Sequence, residues 1–534
     1  MAEPFTWAVV ATAIAKGALG WVGTKVMDSL FNTRKPNYAQ LQAGSIKQIA
    51  AVLQKALEAE RLQEATDKLE SLVRNIENYN NAPSTSLFRL HDAANDSLDL
   101  LATLASLGYL GLPSYIVAAG LRITILQELH LVTGDKGELL NVLLHIRDSI
   151  DECENSMAKG FQMFREMSTA PAKSIVGWVA TFNGKPILGN SRTSVLQQQK
   201  EMSDAFRKTE LDPNETLYEN VLHEWLGIRE LTIERARLAG LEVPRDLIVA
   251  PNFQSWILQT GTPLHVTDDS FQFCFADWNG DGRPDLVAIK KNKTGSNSTE
   301  VHILSGASNF QSWILQTGTP LHETDHTFEF MVADWNGDGR PDLIAIKKSQ
   351  TGSNTTEVHI LSGASSFQTW ILQTGTPLHE TDHTFKFLVS DWNGDGRPDL
   401  VAIKKSKTGT SSTEVHVLSG SSNFQSWILQ TGTALHETNE QYQFIMADWK
   451  GRGRQDLVVI NKGKPGAENT EVYILSALSG YQNYILKTST GLHGTDGSFE
   501  FAMVNWNRPG ISDLVAIKKS ATGSNSTEVH ILSG

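Results

Sequence analysis

An acidic nine-residue string, Asp-Trp-Asn-Gly-Asp-Gly-Arg-Pro-Asp, occurs three times in the C-terminal half of this 534-residue chain. Oxygen-bearing side chains occupy alternate positions of the string, and its two glycines permit a tight turn of the backbone. Calcium takes six to eight oxygen ligands in flexible geometry, and the spacing matches the first half of an EF-hand loop. The alternative is an Asx-rich turn without an ion, whose clustered carboxylates would repel one another. We therefore expect three structural Ca2+ sites.

Each predicted site uses three aspartates, one asparagine and the backbone carbonyl of the arginine. The ligands are Asp277, Asn279, Asp281, Arg283 and Asp285; Asp334, Asn336, Asp338, Arg340 and Asp342; and Asp391, Asn393, Asp395, Arg397 and Asp399. Two further copies of the loop depart from the string. Lys450 and Arg452 replace two ligands in one copy, and the other, at 505–513, keeps little negative charge, so neither is expected to bind calcium.

The loops belong to a 57-residue unit that recurs five times. The copies begin at Asn252, Asn309, Ser366, Asn423 and Gly480. Within one copy, 326–335, 342–348, 356–362 and 367–374 read as strands separated by Gly and Ser clusters. A fixed period of this size with four short strands per unit predicts the blades of a β-propeller.

The phase of the repeats predicts how the ring closes. Residues 252–534 open with a strand of the fourth type and stop after a strand of the third type. We expect one N-terminal strand and three C-terminal strands to form the last blade, because open sheet edges invite aggregation. The alternative is an open fragment that completes itself by oligomerisation. The predicted domain is a five-bladed β-propeller with this 1+3 closure.

Several polar and aromatic residues recur once per copy and are candidates for contact with a ligand. The candidates are His265, Thr267, His322, Thr324, His379, Thr381, His436 and Thr438 in a polar loop, and Trp278, Trp335, Trp392 and Trp449 beside the acidic string. Aromatic faces suit sugar rings, and polar neighbours suit their hydroxyls. A second tryptophan set begins at Trp256, and we expect it to pack between blades.

The N-terminal half has a different pattern. Amphipathic stretches at 48–78, 135–167 and 214–241 predict helices, and 176–188 predicts a hairpin that turns at Asn183 and Gly184. The chain is therefore expected to be a multidomain protein of α plus all-β class. An α-helical bundle at 1–241 is followed by a linker at 242–251 and then by the propeller.

Two segments of the helical half are more apolar than a surface helix requires. Residues 5–27 are long enough to span a bilayer, whereas Gly108, Gly111 and Pro113 break 100–121 into a helical hairpin. They are either membrane-active elements or the buried centre of a bundle. Four histidines near predicted helices would charge near pH 6 and could trigger release: His91, His130, His145 and His223.

Composition excludes several function classes. The net charge of −13 without a basic stripe argues against nucleic acid. Cys153 and Cys274 lie in different halves, so no disulfide framework is expected. No basic segment precedes the first apolar stretch, so we expect cytoplasmic storage or release without a signal peptide, followed by extracellular action at a target cell surface. No phosphate-binding, zinc or nucleophile motif is present, and we predict a protein that is not an enzyme.

The string Asp-x-Asn-x-Asp-Gly-x-x-Asp-Leu between two strands resembles the FG-GAP or VCBS repeat of integrin α-chains and of propeller lectins of the Psathyrella velutina type. The resemblance covers 252–534. It implies structural calcium loops and sugar pockets between neighbouring blades. Members commonly have seven blades, so five departs from the pattern. A bundle that hides apolar segments beside a repeated binding module is similar in plan to α-helical pore-forming toxins, over 1–241.

Two functions follow as expectations. The first is a multivalent, calcium-stabilised lectin that binds cell-surface glycans and delivers a helical domain that forms pores, with contact to the membrane through 5–27 and 100–121 and oligomerisation there. The alternative is a non-enzymatic adhesion protein whose propeller binds a protein partner and whose bundle drives oligomerisation.

Overall fold

A computed structural model describes residues 63–83, 85–174, 177–244, 247, 252–463, 469–507 and 510–534. The chain divides into two compact units, Met1–Ile248 and Val249–Gly534. The first is helical with one small sheet, and the second consists of repeated four-stranded sheets. The apolar segment at 5–27 and the part of the first predicted helix at 48–62 lie outside the described residues.

The helical unit contains six described α-helices. They are α1 Gln63–Asn81, α2 Leu87–Ser106, α3 Leu112–Thr133, α4 Gly137–Glu166, α5 Arg192–Phe206 and α6 Asp212–Leu238. A 3-10 turn at Gly108–Gly111 separates α2 from α3, which confirms the break predicted from the glycines and Pro113. A Cβ at position 111 would lie 2.4 Å from the carbonyl oxygen of Leu104, so this tight turn requires glycine.

Helix α3 is the buried centre of this unit. Its residues from Leu112 to Ala119 are all buried, and Gly134 ends the helix in a left-handed conformation with φ 69°. Among the described residues, one helical segment, Gly108–Thr133, is long and apolar enough to cross a membrane, and 83% of its most apolar window is buried. A helix that is apolar all round and covered by neighbours fits the bundle-core alternative.

A three-stranded sheet joins α4 to α5. Its strands are β1 Ala172–Ser174, β2 Gly177–Phe182 and β3 Lys185–Gly189, in the order β1-β2-β3. The turn between β2 and β3 has positive φ at Asn183 (47°) and Gly184 (71°), the combination that a type I′ turn requires. The predicted hairpin is therefore confirmed, and β1 is an addition that the sequence pattern did not indicate.

The repeat unit contains twenty strands in five antiparallel four-stranded sheets. The strands are β4 Trp256–His265, β5 Phe271–Ala276, β6 Asp285–Lys290, β7 Ser298–Leu304, β8 Trp313–His322, β9 Phe328–Ala333, β10 Asp342–Lys347, β11 Thr355–Leu361, β12 Trp370–His379, β13 Phe385–Ser390, β14 Asp399–Lys404, β15 Ser412–Leu418, β16 Trp427–His436, β17 Tyr442–Ala447, β18 Asp456–Asn461, β19 Glu471–Leu475, β20 Tyr484–Ser489, β21 Phe499–Val504, β22 Asp513–Lys518 and β23 Ser526–Leu532. Sheet 1 is β5–β8, sheet 2 β9–β12, sheet 3 β13–β16 and sheet 4 β17–β20. Sheet 5 has the order β21-β22-β23-β4, and its β23 pairs with β4 with Val529 opposite Thr260.

Each sheet is bonded to a neighbour by an equivalent glutamine. Nε2 of this side chain donates to a backbone carbonyl in the fourth strand of the adjacent sheet, at 2.7 Å from Gln311 to Gly261 and at 2.8 Å from Gln368 to Gly318. The remaining bonds are Gln425 to Gly375, Gln482 to Gly432 and Gln254 to Ser489. The five bonds run from sheet to sheet in one cyclic order and include a link between sheets 1 and 5.

The cores between sheets follow the same order. The second strand of each sheet is almost completely buried, as in Asp342–Lys347, where five of the six residues are buried. One cluster combines Phe271 and Leu286 of sheet 1 with Val515 and Val529 of sheet 5. Apolar burial between facing sheets therefore supplies the main stabilisation of the unit.

Candidate ligand surfaces and calcium loops of the repeat unit

The acidic loops join the first and second strands and are organised by their own hydrogen bonds. In the first loop, Asp277 Oδ1 accepts from the amide of Gly280 at 2.8 Å, and its Oδ2 accepts from Gly282 at 2.9 Å. Asn279 Nδ2 donates to Asp281 Oδ2 at 2.9 Å. Positive φ at Gly280 (77°) and Gly282 (84°) allows the wrap. The side chains at the first, third and fifth positions thus lie together on an exposed loop.

The last aspartate of each loop has a different environment. Asp285 is fully buried, and its carboxylate accepts from the amides of Trp278 at 3.0 Å and Gly306 at 2.8 Å. Its equivalents Asp342 and Asp399 make the same two bonds, and burial raises the pKa of both to about 6 despite these amides. This residue holds the loop to the turn after the third strand.

The fit of these loops to calcium is partial. Within the described ranges, no three His, Cys, Asp or Glu side chains are arranged to hold a metal ion. In the third loop, however, Oδ1 of Asp391 is buried and has no hydrogen-bond partner. A buried carboxylate oxygen without a donor suits a cation, so this loop keeps a feature expected of a calcium site. The donor set of Asp, Asn, Asp and backbone carbonyl is also that of a hard divalent ion.

The arginine of each intact loop reaches the tryptophan of a neighbouring sheet. Arg340 Nη1 donates to the carbonyl of Trp278 at 2.8 Å, and its guanidinium lies 5.0 Å from the indole centroid. Arg283 makes the same contacts with Trp506, at 3.1 and 5.4 Å. Such cation–π contacts are worth about 0.5–1 kcal/mol each at exposed sites. The side chain of this predicted calcium ligand therefore joins sheets.

The tryptophans beside the acidic string lie between sheets. Trp335 is 5% exposed and Trp449 2%, and the indole of Trp335 lies 6.2 Å from the ring of Phe424. Nε1 of Trp278, Trp335 and Trp449 is buried without a hydrogen-bond partner, whereas Nε1 of Trp392 donates to the hydroxyl of Tyr481 at 2.7 Å. Of these four side chains, predicted to contact a ligand, Trp335 and Trp449 are buried, and Trp278 and Trp392 are half-buried against the cores between sheets.

The candidate threonines are also internal. Thr324 is 4% exposed, its amide donates to the carbonyl of Lys291 at 2.7 Å, and its hydroxyl lies 3.2 Å from that of Thr299. Thr267, Thr381 and Thr438 have equivalent contacts. They fix the end of the fourth strand to its own sheet. The paired histidines are exposed and lie edge-on to an aromatic ring, as in His322 and Phe328 at 5.9 Å.

A surface that sequence reasoning did not select recurs on every sheet. Trp313 begins the fourth strand and lies edge-on to His302 of the third strand, at 6.1 Å between centroids. His302 Nε2 lies 3.2 Å from Oε2 of Glu300. We call this trio the aromatic–His–Glu cluster. Its equivalents are Trp256, His530 and Glu528; Trp370, His359 and Glu357; and Trp427, His416 and Glu414. Sheet 4 has Tyr484, Tyr473 and Glu471 at these positions and so lacks the histidine.

The clusters are accessible to solvent, and the pKa values of their charged groups are shifted. Trp256 is 39% exposed and Trp370 37%, whereas Trp313 and Trp427 are half-buried and pack against the cores between sheets, as expected for this set. Burial acts to raise the pKa of Glu300, but hydrogen bonds from Ser296 and His302 outweigh it and lower the pKa below its usual value. Burial also lowers the pKa of His302. The cluster of sheet 1 therefore places an aromatic face, an imidazole with a lowered pKa and a carboxylate with a lowered pKa side by side.

Comparison with known proteins gives a partial family assignment. Residues 277–345 and 334–402 match the FG-GAP-like repeat. A T-cell immunomodulatory protein homolog of Plasmodium yoelii yoelii is 26% identical in an alignment of 262 residues that covers 45% of this chain and 37% of that protein. The chain thus spans well under half of this relative's length.

Three solved structures have low similarity to the chain. The catalytic domain of the Coprinopsis cinerea GH62 α-L-arabinofuranosidase has a TM-score of 0.33 at 8% identity and covers 53% of this chain and 97% of its own. The TcdB2-TccC3-Cdc42 structure has 0.28 at 12%, with coverages of 53% and 15%. The V. cholerae biofilm matrix protein Bap1 has 0.21 at 16%, with 46% and 43%. At such TM-scores these likenesses carry no conclusion on function, whereas the repeat match supports a repeat protein of the FG-GAP propeller kind.

Proposed function

We propose that residues 252–534 form a closed five-bladed β-propeller that acts as a non-enzymatic, multivalent recognition module for a protein partner. The observation that carries this proposal is the recurrence of the aromatic–His–Glu cluster on four sheets, with Tyr473 in place of the histidine on the fifth. A half-exposed tryptophan beside a charged carboxylate is the kind of anchor that dominates binding energy at protein interfaces. The FG-GAP-like match and the relative named for T-cell immunomodulation support a binding role over catalysis.

Ring closure is supported by the cyclic glutamine bonds and by the shared core of sheets 1 and 5. Because the five clusters are equivalent by repeat position, they would lie around the ring at regular intervals. Weak binding at one cluster would then be multiplied when a partner offers several copies of its epitope.

A carbohydrate is the second candidate ligand, and the composition of the same cluster favours it. Indole faces pack against the apolar faces of sugar rings, while the Glu300 carboxylate and His302 are suited to hydroxyl groups. In this second function, calcium held by Asp277, Asn279 and Asp281 and their equivalents would neutralise the loop carboxylates and stabilise the blades. The exposed His265 and its equivalents would form a separate polar surface.

One experiment separates the two ligands. Binding of the full chain to target cells is measured before and after enzymatic removal of surface glycans, together with a glycan array. A variant with Trp256, Trp313, Trp370 and Trp427 all changed to Ala should lose binding, whereas Leu188→Ala, which removes an exposed apolar side chain from the helical unit, should not. Binding that survives deglycosylation identifies a protein partner. Binding that is lost with the glycans identifies a lectin.

The proposal fails if the quadruple tryptophan variant binds cells and glycans as tightly as the unmodified chain. Retention of its sheet structure, measured by circular dichroism, is the control for folding. Liposome leakage tests the role of the helical unit. Oligomerisation without membrane damage predicts no leakage at any pH, whereas a membrane-active bundle predicts leakage of liposomes that carry the ligand.

A further inference from the structure

A ring of lysines lies at one end of the first strands, which are the strands that contact one another from sheet to sheet. In every sheet a lysine follows the second strand directly. These residues are Lys291, Lys348, Lys405, Lys462 and Lys519. Their backbone amides bond to the residue before the first strand, as in Lys291 to the Ser270 carbonyl at 2.7 Å. The first strands of successive sheets contact one another, and β21 contacts β5, so the five lysines share one end of a common axis.

The second residues of the first strands face the same axis. Gln272 exchanges two hydrogen bonds with the backbone of Phe330 in the next sheet, at 2.7 and 3.1 Å. Glu329 accepts from the amide of Phe387 at 2.8 Å. At the third position of this series stands Lys386, whose Nζ lies 3.7 Å from Glu329. A sixth cation therefore joins the five lysines.

The axial carboxylates do not balance these cations. Glu329 serves both Lys348, at 3.4 Å, and Lys386. Lys405 contacts Glu440 at 2.7 Å, and Lys519 contacts Asp269 at 3.1 Å. These two carboxylates are 76% and 98% exposed, so solvent screens their charge. Within the described part of the chain, no carboxylate forms an ion pair with Lys291 or Lys462.

Glu500 is the fifth member of the series that begins at Gln272. Its Oε2 is buried and has no hydrogen-bond partner. Burial raises the pKa of Glu500 above its usual value, and Lys519, Lys386, Lys462 and Lys291 act on it electrostatically in the opposite direction. The axis thus holds six lysines against two interior carboxylates, in a repeat unit whose own charge is negative.

Burial works against the positive charge of these lysines. It lowers the pKa of Lys462 to about 8, although Glu500 and Asp496 act in the opposite direction, and it also lowers the pKa of Lys291. Burial is the main cause of both shifts, and the neighbouring lysines add to it. An anion bound among them would oppose both shifts, because it stabilises the charged ammonium groups.

We propose that the axial lysines form a binding site for one small oxyanion with two or more negative charges. Lys291, Lys462 and Lys519 would donate to its oxygens, and Glu500 would limit how deeply it enters. A small ligand is favoured over a polyanion because Lys405 and Lys519 are only 6% and 7% exposed, which leaves no open surface for a nucleic acid or a lipid bilayer. Lysine is a point-charge donor suited to such ions.

The site is tested by titrating the full chain with sodium pyrophosphate at fixed ionic strength in a calorimeter. We expect saturable binding of one anion per chain. Lys291→Gln and Lys462→Gln should each weaken binding about tenfold or more, since each removes a charge-assisted hydrogen bond. Glu500→Gln should strengthen binding severalfold because it removes a repulsive charge. This opposite response cannot arise from general unfolding.

Lys293→Gln and Lys407→Gln are the matched controls, because they change the net charge equally at exposed positions outside the ring. They should leave the affinity unchanged. Citrate in place of pyrophosphate also supports the proposal if the same variants affect it. No saturable binding, an equal loss in the control variants, or binding only to vesicles with anionic headgroups would each overturn it.

Discussion

The packing between sheets can be tested at the indole N–H of the tryptophans beside the acidic string, because this group has a hydrogen-bond partner in one copy and none in others. Trp392 donates to the hydroxyl of Tyr481 at 2.7 Å, and that hydroxyl donates to the carbonyl of Gln455 at 3.1 Å. In the other sheets phenylalanine replaces the tyrosine. The Trp278 indole lies 6.4 Å from Phe367, and its N–H has no partner.

Tyr481→Phe should therefore destabilise the repeat unit. Tyr481 is fully buried, so its removal leaves the Trp392 N–H unsatisfied at a cost of about 1–3 kcal/mol. Phe367→Tyr is the reverse change. Phe367 and Tyr481 have nearly equal φ angles, 64° and 65°, and the carbonyl of Pro341 stands where Gln455 does in the other copy. The new hydroxyl has an acceptor, and we expect a gain of about 0.5–1.5 kcal/mol.

The free energy of unfolding is measured by urea denaturation, with exchange of the indole N–H protons followed by NMR. Tyr484→Phe is the matched control, because it removes an exposed tyrosine hydroxyl from the same sheet and should cost little. The reasoning is refuted if Tyr481→Phe unfolds at the urea midpoint of the unmodified chain. It is also refuted if Phe367→Tyr destabilises as much as Tyr481→Phe, since overpacking would then outweigh the hydrogen bond.

Two further predictions concern ions and pH. If calcium binds the acidic loops, a chelator should lower the melting temperature of the repeat unit, since an ion at 100 times its Kd contributes about 2.7 kcal/mol per site. The triple change of Asp281, Asp338 and Asp395 to Asn should abolish this response to the chelator. If the triple variant responds as the unmodified chain does, these loops are not the calcium sites. In the helical unit, burial lowers the pKa of His145 to about 4. Between pH 6.5 and 4 the unfolded chain therefore binds more protons than the folded chain does. The free energy of unfolding should fall by up to about 3 kcal/mol as the pH drops through that window. His145→Gln should flatten this dependence, measured by thermal melting at several pH values, and the exposed His91→Gln should not; equal slopes for both would disprove the assignment.

The sequence pattern was sufficient for the elements and insufficient for the exposure of side chains. Strand alternation and the 57-residue period predicted the four strands of each copy, and phase predicted that β4 pairs beside β23. Helix periodicity predicted α4 and α6, while glycines and Pro113 located the turn before α3. These signals are local, because hydrophobic period and turn chemistry are set by neighbours in sequence.

Which tryptophan faces solvent depends on packing between sheets, and that is not local. The Asp-Trp tryptophans stand in a polar loop, which favoured exposure, yet Trp335 is 5% exposed because Phe424 of a neighbouring sheet lies against it. Trp256 stands in an apolar strand, which favoured burial, yet it is 39% exposed at the start of the fourth strand. The His145 prediction failed for the same reason, since its ring lies against the carbonyl of Ala119 at 3.0 Å in the bundle core.

Differences between copies carry more information here than their similarity does. Near-identical repeats conserve a residue whether or not it has a role, so the recurrence of Trp278 or Thr267 could not distinguish packing from binding. The exceptions can. Tyr481 appears where an indole N–H gains a partner. At the axis, Glu329, Lys386 and Glu500 stand where the other two copies have Gln272 and Gln443, so only three of the five positions carry charge. Among five similar sheets, a residue that breaks the repeat without disturbing the backbone marks a position where the sheets do not perform the same role.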